Sequence, residues 1–270
     1  MKFKVLSIIA PSKAAKLAIE VFSKPHFKKL REREKEFLQN TNIVRLQNDP
    51  EDIILYESGD PNGKPVLMVH GWDSNPGSMS GIVRGLAQKG YHVYVLNVPA
   101  HGISKLKSTN MIETSKLIIK ILEKFESIGE FSFVTHSFGS GAVSFALMQS
   151  GIKVDKLAFI TSPDKILDIF YDFKNTIGLG NKAYKYMLKF SEQKFQRKFE
   201  DMQISNALQK ANFNQLLLIH DVDDKILPYS NSLSIHEKVK ERSKIVSTKG
   251  KGHYRILWDE QVIQEIVDFL

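Results

Sequence analysis

Residues 131–148 read FSFVTHSFGSGAVSFALM and give the clearest indication of the fold. Its first half is a short apolar run that predicts a strand, and its second half predicts a helix. Ser137 stands at the junction, where a tight turn requires small neighbours, and Gly139 and Gly141 supply them. The start of the helix also points free backbone N–H groups at this serine, which favours negative charge developing there. The stretch therefore predicts a nucleophile at Ser137, although a serine at this position can equally be a helix N-cap.

Similar apolar runs occur before and after this stretch. The predicted strands are residues 43–46, 52–57, 66–69, 93–98, 131–135, 157–161, 216–219 and 245–247. The first two are separated by a turn and resemble a hairpin, whereas the others lack polar alternation, as parallel strands covered on both faces do. Helical stretches lie between the strands. The pattern predicts an α/β fold with a mostly parallel central sheet flanked by helices.

A serine hydroxyl is a weak nucleophile at neutral pH, so a general base must accompany it. Among the eight histidines, His253 follows the last predicted strand in a glycine-rich loop, from which its imidazole can reach the carboxyl edge of the sheet. A carboxylate must then orient the imidazole. Asp221, Asp223 and Asp224 crowd one turn after the preceding strand. The chain order serine, aspartate, histidine therefore predicts a triad whose acid is one of these three aspartates.

These motifs together resemble those of the α/β-hydrolase superfamily, from about residue 42 to the C-terminus. They are, in chain order, His70-Gly71-Trp72, the loop NVPAHGIS at residues 97–104, the elbow THSFG at residues 135–139, the acid turn that ends at Pro228, and Gly252-His253. Three positions depart from the usual pattern. Thr135 replaces a glycine, which we expect to widen the elbow, and Asn97 and Ala100 lie in a loop that is structural in most members.

The resemblance implies roles for five residues. It makes Ser137 the nucleophile and His253 the base, and it places the acid at Asp224, four residues before the proline. It also implies an oxyanion hole made by the backbone N–H groups of Trp72 and Phe138. Removing one such donor typically costs ~10²–10³ in rate.

Several other residues compete for these roles. Asp223 is the second candidate for the acid, and Asp164, which follows an earlier strand, is a weaker one used by some relatives. The remaining histidines of the motif regions are expected to be structural, pocket-edge or packed polar residues: His70, His101, His136 and His220. No two histidines have i,i+4 spacing beside a glutamate, so we predict neither a zinc site nor any other metal or cofactor.

The domain organisation predicted from the sequence has three parts. Residues 1–41 form an N-terminal helical extension, with an amphipathic helix at residues 14–22 and a charged connector at residues 28–35. Residues 42–270 form the hydrolase domain. Within it, residues 164–212 contain no good strand but much helical, aromatic-rich sequence, which predicts a helical cap or lid over the nucleophile.

The composition limits the classes of partner and compartment. The net charge of +8 comes mostly from residues 1–36, which hold ten basic and four acidic residues. Because this excess sits on one segment without interleaved aromatics, we expect a solvated basic surface and no nucleic-acid binding, with contact with an anionic membrane or partner as the less favoured alternative. The absence of cysteine excludes disulfides and thiolate sites. We expect a cytoplasmic protein and make no prediction of its oligomeric state.

The function predicted from the sequence is hydrolysis of a carboxylic ester through an acyl-enzyme, with an apolar acyl or aryl ester as substrate. The same triad also serves thioesterases, carbon–carbon hydrolases, acyltransferases and perhydrolases. A non-catalytic binding protein with this fold is a further alternative, since fold alone does not fix function. Such binding proteins often lose the triad, and all three of its residue types are present here.

Overall fold

Eight strands form a single sheet in the computed structural model, which describes residues 2–26 and 29–270. They are β1 Asn42–Leu46, β2 Ile53–Gly59, β3 Pro65–Val69, β4 His92–Leu96, β5 Ser132–His136, β6 Val154–Ile160, β7 Phe213–Asp221 and β8 Ser243–Thr248. Their order across the sheet is β1-β2-β4-β3-β5-β6-β7-β8. β1 and β2, and β2 and β4, run antiparallel, and every other neighbouring pair is parallel.

The predicted fold class is confirmed, and each of the eight predicted apolar runs is a strand. The central strands are buried on both faces because each divides its side chains between two hydrophobic clusters. In β3, Leu67 and Val69 belong to one cluster and Val66 and Met68 to the other. The continuous apolar character of these strands follows from this double coverage.

Helices cover both faces of the sheet. In chain order they are α1 Lys2–Ile9, α2 Pro11–Phe22, α3 Glu32–Asn40, α4 Ser80–Gln88, α5 Met111–Lys124, α6 Phe138–Ser150, α7 Ile166–Ile177, α8 Asn181–Phe195, α9 Ile204–Lys210, α10 Ser230–Lys238, α11 Gly252–Arg255 and α12 Glu260–Phe269. α5, α6 and α9 pack together, and α4 packs against α12. Within the residues described, no helix combines the length and apolar character that a bilayer-spanning helix needs.

The N-terminal segment differs from the prediction at two places. α1 was not predicted, and the predicted charged connector is wrong from Glu32 onward, where α3 begins; residues 27 and 28 lie outside the described residues. α3 starts there because the Glu34 carboxylate accepts the backbone N–H of Arg31 at 2.9 Å, as a capping side chain does. The predicted amphipathic helix is α2, which begins at Pro11 and packs its small apolar face against α8.

The segment between β6 and β7 contains α7, α8, a short 3₁₀ helix at Phe199–Asp201, and α9. Asp164 ties this segment to the body. Its carboxylate accepts the backbone N–H of Ser205 at 2.9 Å and the hydroxyl of Ser234, in α10, at 2.7 Å. A buried carboxylate with these two donors ties the start of the segment to α9 and to α10.

Candidate active site

Ser137 lies on a strained turn between β5 and α6. Its φ is 50° and its ψ is −112°, a conformation that a residue with a side chain adopts only when its surroundings impose it. The turn is held by the Ser137 N–H, which donates to the carbonyl of Ile160 at 3.0 Å. Gly139 is required here, because a Cβ at this position would lie 2.3 Å from the carbonyl oxygen of Val69. This is the geometry of a nucleophile elbow.

Ser137 is not an N-cap in the hydrogen-bonding sense, because its side chain accepts no bond from the start of α6. Among the described residues its hydroxyl makes no hydrogen bond at all, to His253 or to any other group. Bonds between nucleophile and base are often long in proteins without bound substrate. The hydroxyl is half-buried and faces the cavity described below.

Thr135 lies at the position where the sequence pattern has a glycine. Its hydroxyl forms a hydrogen bond of 2.8 Å with the Ser140 hydroxyl in the first turn of α6, and both residues are fully buried. The threonine is therefore accommodated by a bond that joins β5 to α6 across the elbow.

Asp224 and His253 are in direct contact. Nδ1 of His253 lies 2.8 Å from Oδ2 of Asp224, and both side chains are almost completely shielded from solvent. The other carboxylate oxygen of Asp224 accepts the backbone N–H groups of Ile226 and Leu227 at 2.7 and 3.0 Å. An ionised carboxylate can only accept, so His253 carries a proton on Nδ1 and presents Nε2 as the basic nitrogen.

The ionisation of Asp224 is controlled by its neighbours. Burial alone would raise the pKa of this carboxyl group, but the imidazoles of His220 and His253 and the N–H of Leu227 together hold its pKa well below its ordinary value. His220 Nε2 is 3.6 Å from Oδ2 of Asp224, which is too long for a hydrogen bond, and that nitrogen donates instead to the Leu227 carbonyl at 3.0 Å. Asp224 is therefore anionic throughout the neutral pH range.

The other two aspartates of this turn have different surroundings. Asp221 is fully buried, and its Oδ2 accepts the Thr248 hydroxyl and the Lys251 backbone N–H, each at 2.8 Å. Asp223 is exposed, and only its backbone N–H bonds to the turn. Asp221 thus anchors the loop that carries His253. This role was not predicted from the sequence, because the donors are a hydroxyl and a backbone N–H that follow another strand and form no sequence motif.

Three buried histidines surround the elbow. Nε2–H of His136 donates to the carbonyl of His253 at 2.9 Å, and the two rings lie 4.8 Å apart between centroids. Nε2 of His70 accepts the Val98 N–H at 3.2 Å, and Nε2 of His101 accepts the Asp73 N–H at 3.2 Å. Burial lowers the pKa of His70 and of His136 to about 3 and also lowers that of His101, so these imidazoles are neutral structural groups.

Trp72 and Phe138 are in contact in the wall of the cavity that Ser137 faces. Their rings are 5.2 Å apart between centroids. Phe138 is the first residue of α6, so its backbone N–H has no acceptor within the helix. A backbone N–H without a helical acceptor, one residue after Ser137, is available to an oxyanion.

A cavity of about 720 Å³ opens on Ser137. Its walls are mostly apolar and come chiefly from the elbow region, the segment between β6 and β7, and α2, with further residues from the start of α5 and the turn after β7. The contributing side chains include Ile19 and Phe22 of α2 and Ile169, Phe170 and Phe173 of α7. The Phe22 ring lies 4.6 Å from that of Phe170 and 4.9 Å from that of Phe173. A cavity of this size and lining suits an apolar small molecule.

Comparison with known proteins agrees with this architecture. A family model described as the alpha/beta hydrolase fold matches residues 64–177. A protein of Gibberella zeae described as an AB hydrolase superfamily protein is 29% identical over 108 residues, which are 40% of this chain and 36% of the relative. The chain has the α/β-hydrolase fold. The match spans little more than a third of that relative's length.

Solved structures of α/β hydrolases extend the likeness to most of the chain. The Pyrococcus furiosus esterase Pf2001 superimposes with a TM-score of 0.67 and 17% identity, covering 92% of this chain and 98% of the esterase. Est1E from Butyrivibrio proteoclasticus superimposes with a TM-score of 0.67 and 15% identity, covering 85% of this chain and 97% of its own. At identities this low, the superpositions show a shared fold and nothing more.

Two further positions of the α/β-hydrolase pattern depart from it in the loop after β4. Asn97 donates to the carbonyl of His101 at 2.9 Å and is buried. Ala100 adopts a φ of 63°, where the superfamily pattern has a glycine, and its N–H donates to the Ser104 hydroxyl at 2.9 Å. Both residues hold the loop that carries His101 beneath Trp72, so they are structural here.

Proposed function

We propose that the protein is a serine hydrolase that cleaves a carboxylic ester through an acyl-enzyme. The proposal is supported by the buried contact between His253 and the anionic Asp224, together with the strained backbone of Ser137. An imidazole oriented in this way is what a serine nucleophile requires. The fold and the two esterase structures that share it support hydrolase activity.

In the first step, Oγ of Ser137 attacks the ester carbonyl carbon. As the new C–O bond forms, the hydroxyl proton moves to Nε2 of His253, which becomes an imidazolium. Nδ1–H of His253 continues to donate to Asp224, whose charge stabilises the imidazolium without taking the proton. The carbonyl oxygen becomes an oxyanion held by the backbone N–H groups of Trp72 and Phe138.

The tetrahedral intermediate then breaks its bond to the alcohol oxygen. His253 returns the proton to the departing alcohol, and the acyl group remains on Ser137. A water molecule repeats the sequence, with His253 as base, and releases the carboxylic acid and the free serine. The overall reaction is ester plus water to acid plus alcohol, with no cofactor required.

The proposed substrate has an apolar acyl or aryl group, because the walls of the cavity next to Ser137 are mostly apolar. We also propose that residues 164–212 act as a cap. α7 places Ile169, Phe170 and Phe173 in the cavity wall, so this segment encloses the acyl group. Enclosure excludes water other than the deacylating molecule.

Labelling with a fluorophosphonate probe tests the proposal. The wild-type protein should be labelled and should hydrolyse p-nitrophenyl esters, whereas Ser137→Ala should lose both, since loss of a triad nucleophile typically costs on the order of 10⁶ in turnover. Ser191→Ala is a matched control, because this serine lines the same cavity from α8. It should be labelled like the wild type.

Two results would contradict the proposal. Labelling that persists in Ser137→Ala but not in Ser191→Ala would move the nucleophile to the cap. No labelling and no hydrolysis of any ester or acyl thioester by the folded wild-type protein would favour a binding protein that retains the fold.

A further inference from the structure

The N-terminal helix α1 is apolar on two opposite faces. Phe3 and Leu6 pack against the hydrophobic core of the protein. On the other side, Val5, Ile8 and Ile9 are 52%, 84% and 76% exposed, and Ile8 and Ile9 are the most exposed large apolar side chains among the described residues. An apolar helix face is normally covered by another part of a protein or by a partner. On the outer face of α1, however, the apolar side chains are exposed to solvent.

The inner face fixes the orientation of this helix. The Ser7 hydroxyl accepts the backbone N–H of Gly180 at 2.9 Å, at the turn between α7 and α8. The aliphatic stem of Lys4 lies against Gly178 in the same turn, where a Cβ would be 3.2 Å from its Cε. Because both contacts are to the protein body, α1 presents Val5, Ile8 and Ile9 outward as a defined patch, which we call the α1 patch.

The charge around the α1 patch identifies its partner. Residues 2–26 contain five lysines and one glutamate. Lys4, Lys13 and Lys16 are exposed, and the single glutamate, Glu20, is already paired with Lys24. Two copies of this chain would bring like charges together on α1 and α2, which opposes self-association through the patch. An apolar patch flanked by lysines is complementary to an anionic bilayer surface.

We propose that the α1 patch docks the protein on an anionic membrane surface. Val5, Ile8 and Ile9 enter the boundary between head groups and acyl chains, and the surrounding lysines lie at the level of the phosphates. The proposal favours contact with an anionic membrane over the solvated basic surface that the sequence predicts for this segment. α2, which follows directly, lines the cavity with Ile19 and Phe22, so docking brings the wall of the cavity close to lipid. The docking itself does not depend on the proposed hydrolase activity.

Co-sedimentation of the full chain with vesicles tests the docking. Binding should be strong to vesicles of phosphatidylcholine with an equal amount of phosphatidylserine, weak to phosphatidylcholine alone, and reduced by high salt. The double variant Ile8→Ser, Ile9→Ser should lower the partition coefficient roughly ten-fold or more. The reason is that serine lacks the favourable free energy of transferring an isoleucine side chain from water into the bilayer. Lys4→Glu with Lys13→Glu should lower it for the anionic vesicles.

Leu233→Ser is the matched control, since Leu233 is a 46% exposed apolar residue on α10, outside the α1 patch. It should bind vesicles like the wild type, and so should Ser137→Ala, which separates docking from catalysis. Equal melting temperatures would show that the exposed substitutions leave the fold intact. Binding that is absent, or unchanged in the isoleucine variant, would overturn the proposal. A concentration-dependent dimer that the isoleucine variant abolishes would assign the patch to a second copy instead.

Discussion

At the scale of single residues, the acid of the proposed triad gives the sharpest prediction. Asp224→Asn should lower kcat by roughly 10⁴, the loss seen when an amide replaces the acid of a well-studied serine protease. The amide cannot stabilise the imidazolium and favours the wrong tautomer of His253. The measurement is steady-state hydrolysis of a p-nitrophenyl ester by this variant and by Asp223→Asn.

Asp223→Asn is the control, because Asp223 is exposed and its side chain makes no contact with His253. Its kcat should match that of the wild type. If Asp223→Asn proved to be the inactive variant, the acid would lie one position earlier in the turn. Asp221→Asn should instead lower the melting temperature, since this buried carboxylate holds Thr248 and the backbone of Lys251.

The residue types of the candidate site could be predicted from the sequence, but not all of their contacts. The order of Ser137, an aspartate and His253 after three strands is visible in the linear pattern. The choice among three aspartates depends on the path of the turn, in which Asp224 curls back to accept the N–H of Ile226 and Leu227. The path of the backbone through this turn cannot be predicted from the spacing of apolar residues.

At the scale of elements, the cap proposal predicts a role for α7 in substrate preference. Phe173→Ala should lower kcat/KM for a medium-chain p-nitrophenyl ester about ten-fold, because an aromatic wall of the cavity is lost. Tyr171→Ala, on the same helix but 51% exposed, should leave it unchanged. The measurement is kcat/KM across acyl chain lengths. Kinetics indifferent to Phe173→Ala would refute the cap while leaving the proposed triad intact.

The elements themselves were predictable where their pattern is long or repeated. The strands from β3 onward stand out because parallel strands are apolar on both faces, whereas β1 and β2 are recognised by the turn between them. α1 escaped prediction because eight residues that are apolar on two sides show no helical periodicity. The contact of α2 with α8 could not be predicted either, since nothing in either amphipathic pattern specifies its partner.

At the scale of the whole molecule, the buried histidines predict an acid-sensitive fold. His70 and His136 stay neutral in the folded protein because burial lowers their pKa to about 3, whereas an ordinary imidazole takes up a proton near pH 6.5. The unfolded chain therefore binds more protons between these values, and the free energy of unfolding falls as the pH decreases through that range. Each histidine contributes roughly 1.4 kcal/mol per pH unit at full slope.

Urea unfolding between pH 7 and pH 5 measures this slope, in a window where ordinary carboxylates remain ionised in both states. The glutamine of His136→Gln can still donate to the carbonyl of His253. In this variant the free energy of unfolding should depend less steeply on pH than in the wild type, by the equivalent of about one proton. An unchanged slope in this variant would mean that His136 does not set the pH dependence of stability.

The bond between Ser7 and Gly180 joins residues that are 173 positions apart. At a synthesis rate of about 5–20 residues per second, α8 is made roughly ten to thirty seconds after α1 and α2. Helices of eight and twelve residues are marginal in water on their own, so both segments remain fluctuating apolar chain until then. The wall of the cavity formed by α2 therefore closes late in folding, and until then the apolar side chains of α1 and α2 are open to misassociation.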